Sequence, residues 1–177
     1  MKKLVVTLTL AVPTLFVGTI VGQQNQANRM KAADNTFATK AAQGGMAEVE
    51  LGRMATQQAA NAKVKQFGQR MVDDHSKANE QLKSIASNKG VTLPNMLDSK
   101  DEATKNKLSS LRGAEFDKAY MEDMVSDHEK DLAEFQHEAD HGTDPDMKAF
   151  AAKTLPTLQH HLQMAKDALA DVKSTGK

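Results

Sequence analysis

The sequence contains no cysteine and no tryptophan, and it has a single tyrosine, Tyr120. Without cysteine the chain cannot form disulfides, thiolate zinc sites or iron–sulfur clusters, and it offers no thiol nucleophile. Aromatic residues make up 4% of the chain, so the stacking surfaces that bind sugars or bases lack their main component. The 23 basic and 23 acidic residues cancel, which removes the positive field that nucleic-acid binding requires. We therefore expect no nucleic-acid partner.

The chain is of ordinary single-domain size, with 177 residues, of which 40% are hydrophobic and 26% charged. A chain of this length can bury one apolar core. Against this plain background, six histidines and ten methionines stand out. Histidine is the side chain most suited to acid–base chemistry and metal binding near neutral pH, so the positions of these histidines decide what the sequence can tell about function.

The N-terminus is typical of an exported protein. A short basic start at 1–3 is followed by an uncharged, apolar run to residue 22, which predicts a secretory signal peptide. An uncleaved membrane anchor is the alternative, although Pro13 in the middle of the run and the short basic flank favour a signal. We therefore expect the protein to be exported, with no membrane-bound part beyond this segment. Residues 23–35 are polar and predict a flexible leader.

The rest of the chain predicts an all-α fold. Helix-forming residues dominate and β-type alternation is missing. We predict long helices at 36–60, 61–88, 113–141 and 145–172, a short helix at 102–111 within a polar connection at 94–112, and a tail at 173–177. Asp34 or Asn35 should cap the first helix, and Pro156 should kink or break the last one. Four long helices at 36–172, with a long connection between the second and third, are typical of a ferritin-like four-helix bundle.

Each long helix carries one ionisable residue on its apolar face. At 100° per residue, the apolar stripes of the four helices contain, in order, Glu48, His75, His128 and His161. Glu48 and His75 lie at nearly equal distances along the chain from Asn61, provided that Asn61 is a turn between two helices. The three histidines each fall near the middle of their helix. We therefore predict that the four groups meet at one level inside the bundle.

Burial limits what these four groups can do. A buried carboxylate or imidazole needs a partner, and three imidazoles with one carboxylate form a plausible shell for one divalent transition metal, namely Zn, Fe, Mn or Cu. Met71 and Met124 precede two of the histidines by one turn, where a thioether would favour copper, although core methionine is usually packing. Glycines one turn either side of Glu48, at Gly44 and Gly52, should leave room beside its carboxylate.

The same residues are compatible with two alternative functions. In the first alternative Glu48 accepts hydrogen bonds from His75 and His128, and the protein is a metal-free structural or interaction protein of the cell envelope. In the second it is a redox or peroxide-handling metalloenzyme, which requires an open coordination position and a solvent path. No residue is predicted to be catalytic, and a binding or structural role is favoured over an enzymatic one.

Several further polar residues lie off the predicted apolar stripes. Asp74 and Asp127 adjoin two of the inward histidines and are predicted to be outer partners or surface groups. Two Glu-x-x-His motifs, typical of di-iron carboxylate proteins, occur in the third helix but face the solvated side on the phase set by His128. We therefore expect Glu134, His137, Glu138 and His141 to be solvated, and His160 to lie at the edge of its stripe.

Four segments together resemble a known family. They are residues 41–52, residues 64–75, the pair Phe116-Asp117 with Tyr120, and residues 155–162. In these segments the chain resembles the secreted bacterial domain-of-unknown-function family numbered forty-one forty-two, often labelled as outer-membrane or exported proteins. The resemblance covers about residues 37–168. It implies a ferritin-like bundle exported to the periplasm or cell envelope of a bacterium, and it implies no reaction, catalytic residue or metal.

Overall fold

The computed structural model describes residues 30–175, and this part of the chain contains five helices and no strand. The predicted signal segment at 1–22 and most of the predicted leader lie outside the described residues. The helices are α1 (Ala32–Gln58), α2 (Ala62–Asn88), α3 (Ser99–Ser109), α4 (Gly113–His141) and α5 (Pro145–Thr175). The all-α prediction is confirmed. Among the described helices, none is both long enough and apolar enough to span a membrane.

The helix boundaries agree with the sequence prediction at some ends and differ at others. α4 has the predicted bounds, and Asn61 is the predicted turn, since its side chain accepts a hydrogen bond from the backbone N–H of Lys63. Two starts were placed too late. α3 begins at Ser99 because Asp98 caps it. α1 begins at Ala32, so the prediction of Asp34 or Asn35 as its cap was wrong.

α5 continues through Pro156, so the predicted break is absent. Proline removes one backbone N–H and leaves the carbonyl four residues earlier, at Ala152, without its helical donor. Both residues lie on the exposed face of α5, where water can satisfy that carbonyl. The helical phase therefore survives from the first half of α5 to the second.

α1 and α4 run antiparallel, as the contacts at their ends show. At the start of α1, the Asp34 carboxylate accepts a hydrogen bond from the backbone N–H of Thr143, just after α4, with an N···O distance of 2.8 Å. At the end of α1, the backbone N–H of Asn61 donates to the Asp117 carboxylate near the start of α4, also at 2.8 Å. Two buried aspartates thus tie both ends of the first hairpin to the second.

The chain forms two helical hairpins joined by a long connection. Short turns make α1 antiparallel to α2 and α4 antiparallel to α5, and since α1 opposes α4, α2 and α4 point the same way. Contacts of α2 with α5 and of α1 with α4 close the bundle. The connection at 89–112 therefore runs along the bundle, and α3 within it packs on α1 and α4.

A polar layer divides the interior into two apolar clusters. The cluster toward the Asn61 end includes Leu51, Met71, Met124 and Ala165. The cluster toward the Asp34 end includes Ala42, Leu82, Phe135 and Leu158. On each long helix, one of the residues Glu48, His75, His128 and His161 lies between the two clusters and is buried. The interior thus places four ionisable side chains at mid-height, as the helical phase predicts.

Candidate metal centre

Three histidines from three helices meet in the polar layer. α2 supplies His75, α4 supplies His128 and α5 supplies His161, and their exposed fractions are 8%, 0% and 0%. One ring nitrogen of each residue lies within 4.8 Å of a ring nitrogen of each of the others. The predicted convergence is confirmed for these three residues, which we call the histidine triad.

Each member of the triad has a buried ring nitrogen without a hydrogen-bond partner in the described part of the chain. These atoms are Nε2 of His75, Nε2 of His128 and Nδ1 of His161. In two of the rings, the other nitrogen forms a hydrogen bond with a group outside the triad. Nδ1 of His128 lies 2.9 Å from the Met124 carbonyl, to which it donates, and Nε2 of His161 lies 3.0 Å from Oδ2 of Asp74. A neutral imidazole that donates through one nitrogen has a lone pair on the other.

The surroundings of the triad disfavour protonation of its rings. Burial, and after it the neighbouring His128 and His161, holds the pKa of His75 well below its ordinary value. Burial and then His161 lower the pKa of His128 to about 4. Burial also lowers the pKa of His161, although the hydrogen bond to Asp74 opposes this shift. The triad therefore presents neutral imidazoles near neutral pH, the form that binds metals.

Glu48 lies beside the triad but is not among the three residues whose ligand atoms converge. It is 3% exposed, its Oε1 is 3.7 Å from Nδ1 of His128, and its Oε2 has no hydrogen-bond partner in residues 30–175. A distance of 3.7 Å is too long for a hydrogen bond. Burial, followed by Asp131, raises the pKa of Glu48 well above its ordinary value, so burial opposes charge on both partners and the contact is not an ion pair.

The two glycines near Glu48 have different roles. A Cβ at Gly44 would meet no atom within 4 Å, so Gly44 does leave open space. The expectation for Gly52 was wrong, because a Cβ there would lie 2.6 Å from the backbone oxygen of Gly68 and 3.1 Å from Cβ of Met71. Gly52 therefore permits the close approach of α1 and α2 rather than space beside the carboxylate.

The methionines next to the triad are part of the core. Met71 and Met124 are fully buried and belong to the apolar cluster at the Asn61 end of the bundle. Their position agrees with a packing role. Of the two aspartates predicted as outer partners or surface groups, Asp74 contacts His161, whereas Asp127 forms ion pairs with Lys100 and Lys130 at 3.0 and 3.2 Å.

Outside the triad, most of the residues predicted to be solvated are so. His137, His141 and His160 are exposed, and Glu134 is half-buried with its side chain paired to Lys40. Glu138 is the exception, since it is 4% exposed. Glu138 faces the start of α1, away from the triad, where burial and then the hydrogen bond to Asp34 raise its pKa to about 7.

An acidic cleft reaches the triad from the surface. It has a volume of about 240 Å³, and its wall includes Glu48, His75, Gly44, Asp101 and Asp131. This cleft was not predicted from the sequence. The available signal was the spacing of Asp127 and Asp131 by four residues in α4, which places both carboxylates on one side of the helix.

The comparisons with known proteins identify a family and a fold. No curated protein matches the chain. Among solved structures, the chain is similar to the crystal structure of a DUF305 fragment from Deinococcus radiodurans, with a TM-score of 0.72 and 12% sequence identity, over 81% of this chain and 99% of that chain. At this identity the likeness concerns the fold alone. The family described as domain of unknown function (DUF4142) matches residues 20–168. Because this match spans most of its length, the chain belongs to the DUF4142 family.

Proposed function

We propose that the protein binds one divalent transition-metal ion through His75, His128 and His161. The observation that carries this proposal is the set of three buried ring nitrogens that have no hydrogen-bond partner among residues 30–175, with one nitrogen of each ring within 4.8 Å of the others. An unpaired buried polar atom costs about 1–3 kcal/mol, so three in one place call for a partner. A cation bound by three lone pairs supplies that partner.

The geometry supports a metal over a metal-free network. In a network, Glu48 would accept hydrogen bonds from His75 and His128. The distance from Glu48 to His128 is 3.7 Å, and Nδ1 of His128 donates instead to the Met124 carbonyl. Since His75 also has an unpartnered Nε2, the network would leave buried nitrogens without partners.

The types of ligand limit which metal ions suit the site. Three imidazoles suit Zn²⁺, Cu²⁺ or Fe²⁺, whereas Mn²⁺ prefers oxygen ligands. Three protein ligands leave a coordination position for water or for Glu48, whose carboxylate lies next to His128. Asp74 would orient His161 through the ring nitrogen that faces away from the metal, as carboxylates commonly do for metal-bound histidine.

The proposed setting of this site is a ferritin-like bundle in the bacterial cell envelope. Two antiparallel hairpins whose connection runs along the bundle support the ferritin-like assignment. The basic start at 1–3 and the uncharged run to residue 22 support export. A cysteine-free metal site suits such a compartment, because imidazole does not undergo thiol oxidation.

Metal titration tests the proposed site. Protein freed of metal with a chelator is titrated with Zn²⁺, Cu²⁺, Fe²⁺ and Mn²⁺, and bound metal is counted by elemental analysis. We expect one ion per chain, with loss of binding in His75→Ala and in His128→Ala. The matched control is the double variant His137→Ala/His141→Ala, which removes two exposed imidazoles and should still bind one ion.

Two results would contradict the proposal. One is the absence of stoichiometric uptake of any of the four metals. The other is binding that is lost in the control but kept in the triad variants. The thermal melting temperature gives an independent readout, since a metal bound only to the folded state should raise it by linkage.

A further inference from the structure

The acidic cleft lies against α1, α3 and α4 and is open to solvent. Six carboxylate residues line it: Glu48, Asp98, Asp101, Asp127, Asp131 and Glu134. Three lysines line it as well: Lys40, Lys100 and Lys130. The wall therefore carries more acidic than basic groups, although the whole chain has equal numbers of the two.

The lysines of the cleft are paired with some of its carboxylates. Lys40 lies 2.7 Å from Glu134, and both Lys100 and Lys130 pair with Asp127. In the described part of the chain, Asp131 and Glu48 form no ion pair with lysine or arginine. These two carboxyl groups therefore have no basic partner, and burial raises the pKa of both, that of Asp131 to about 7.

Two residues belong both to the cleft and to the surroundings of the metal centre. His75 lines the cleft and is a member of the triad. Glu48 also lines the cleft, and its exposed fraction is 3%. One of its carboxylate oxygens has no hydrogen-bond partner among the described residues. Its other oxygen lies 3.7 Å from the His128 ring. Glu48 thus extends from the cleft to the triad.

We infer that the acidic cleft is the passage through which a divalent cation reaches the histidine triad, with Glu48 as the carboxylate that transfers the ion from cleft to imidazoles. The inference rests on the proposed function. A concave surface of one charge sign raises the local concentration of ions of opposite sign and speeds their association. An oxygen ligand at the inner end can replace part of the hydration shell of the ion before the nitrogens bind it.

Gly44 allows a direct test, because it lines the cleft and a Cβ there meets no atom within 4 Å. Gly44→Leu should place a neutral side chain in the passage without a steric clash at Cβ. Stopped-flow mixing of metal-free protein with Zn²⁺ and a fluorescent zinc chelator gives the rates of uptake and release. We expect both rates to fall by about tenfold, while the equilibrium affinity stays unchanged, because an obstruction slows passage in both directions equally.

The control and the outcomes separate this inference from the proposed function. Ala170→Leu adds the same side chain at an exposed position of α5 outside the cleft and should bind and release Zn²⁺ at the wild-type rates. Stoichiometric binding with unchanged rates in Gly44→Leu overturns the passage and leaves the metal site intact. A weaker affinity that arises only from faster release also overturns it. Wild-type protein that takes up no metal overturns both.

The charge of the passage gives a second readout. The rates are compared at pH 8, where the Asp131 carboxyl is ionised although burial raises its pKa to about 7. Asp131→Asn should then lower the rate of Zn²⁺ uptake about threefold at low ionic strength and much less at high ionic strength, since salt screens the attraction. Glu129→Gln is the matched control, because it removes one charge from the same helix at an exposed residue paired with Lys166 outside the cleft. Equal uptake rates in the two variants at low salt would contradict a role for the cleft charge.

Discussion

Asp74 shows how one residue outside the triad can set the state of a ring within it. Its Oδ2 lies 3.0 Å from Nε2 of His161, and Arg70 approaches the same oxygen at 3.6 Å. An ionised carboxylate can only accept, so Nε2 of His161 donates and its lone pair lies on Nδ1. This is the nitrogen that has no partner among the described residues. Asp74 therefore fixes which atom of His161 is available to a metal.

Asp74→Asn should weaken metal binding without unfolding the protein. An amide at this position can present its N–H₂ group to the ring and favour the other tautomer, and loss of such outer partners commonly costs about 10- to 100-fold in metal affinity. Competition against a chromogenic chelator measures the change. Asp73→Asn is the matched control, since Asp73 is exposed and its hydrogen bond within the described part of the chain is to Gln69. Equal affinities of the two variants would contradict this role.

For single residues, the sequence predicts which side chains are buried better than it predicts their hydrogen-bond partners. Helical phase is enough to place His75, His128 and His161 inside, because each lies on an apolar stripe. It does not show that Nδ1 of His128 bonds its own helix backbone and leaves Glu48 at 3.7 Å. Such contacts depend on side-chain rotamers and on how far apart the helices lie, which a one-dimensional period does not contain.

The close crossing of α1 and α2 depends on two glycines. The two helices approach so closely that Cβ atoms at Gly52 and at Gly68 would lie 2.6 and 2.7 Å from the backbone oxygen of the other glycine. These contacts are shorter than any packing distance, so a side chain there forces the helices apart. Both residues lie inside helices, where glycine is otherwise unfavourable.

Gly52→Ala should destabilise the protein by about 1–3 kcal/mol, because the added methyl group separates α1 from α2. Gly44→Ala, in the same helix, should instead be neutral or stabilising by about 0.5–1 kcal/mol, since its Cβ meets open space. Urea unfolding followed by circular dichroism measures both changes. If the two variants lose stability equally, the close approach of the helices is not what Gly52 provides.

Element boundaries were predictable where a local signal sets them. Asn61, Gly113 and Pro145 mark turns through capping or backbone geometry, and the structure has helix ends at these points. The start of α1 was placed too late because Asp34 has the form of a cap but hydrogen-bonds the turn after α4. The sequence pattern is the same whether an aspartate caps its own helix or bonds a distant turn, so it cannot predict which contact forms.

For the molecule as a whole, the junction of Asp34 and Glu138 makes stability depend on pH. Burial, then the hydrogen bond to Asp34, raises the pKa of Glu138 from its ordinary value of 4.5 to about 7. Between these two values the folded state holds a proton that the unfolded state has lost. Stability therefore falls as the pH rises from about 4.5 to about 7, and it has no further dependence on this group above that range.

Glu138→Gln should flatten this fall, because the amide carries no titratable proton. Melting temperatures measured from pH 5 to pH 7.5 should decline less in this variant than in the wild type. Glu129→Gln, at an exposed residue, should keep the wild-type slope. Identical slopes in all three proteins would show that Glu138 titrates normally.

Overall composition conceals how charge is distributed over the fold. Equal numbers of basic and acidic residues predict no strong field, and this holds for the chain as a whole. The acidic cleft nevertheless gathers more carboxylates than lysines in one place, because the fold brings the side of α4 next to α3 and the middle of α1. Net charge is a sum, and local charge depends on which helices become neighbours.

The three triad residues come from both hairpins, with His75 in the first and His128 and His161 in the second. A cation held by all three is therefore a cross-link between halves of the molecule that are otherwise held together by packing and polar contacts. Parting the hairpins would require coordinate bonds to break before the apolar clusters are exposed. Bound metal should thus slow unfolding, and it should prolong the lifetime of the folded state in the presence of a protease.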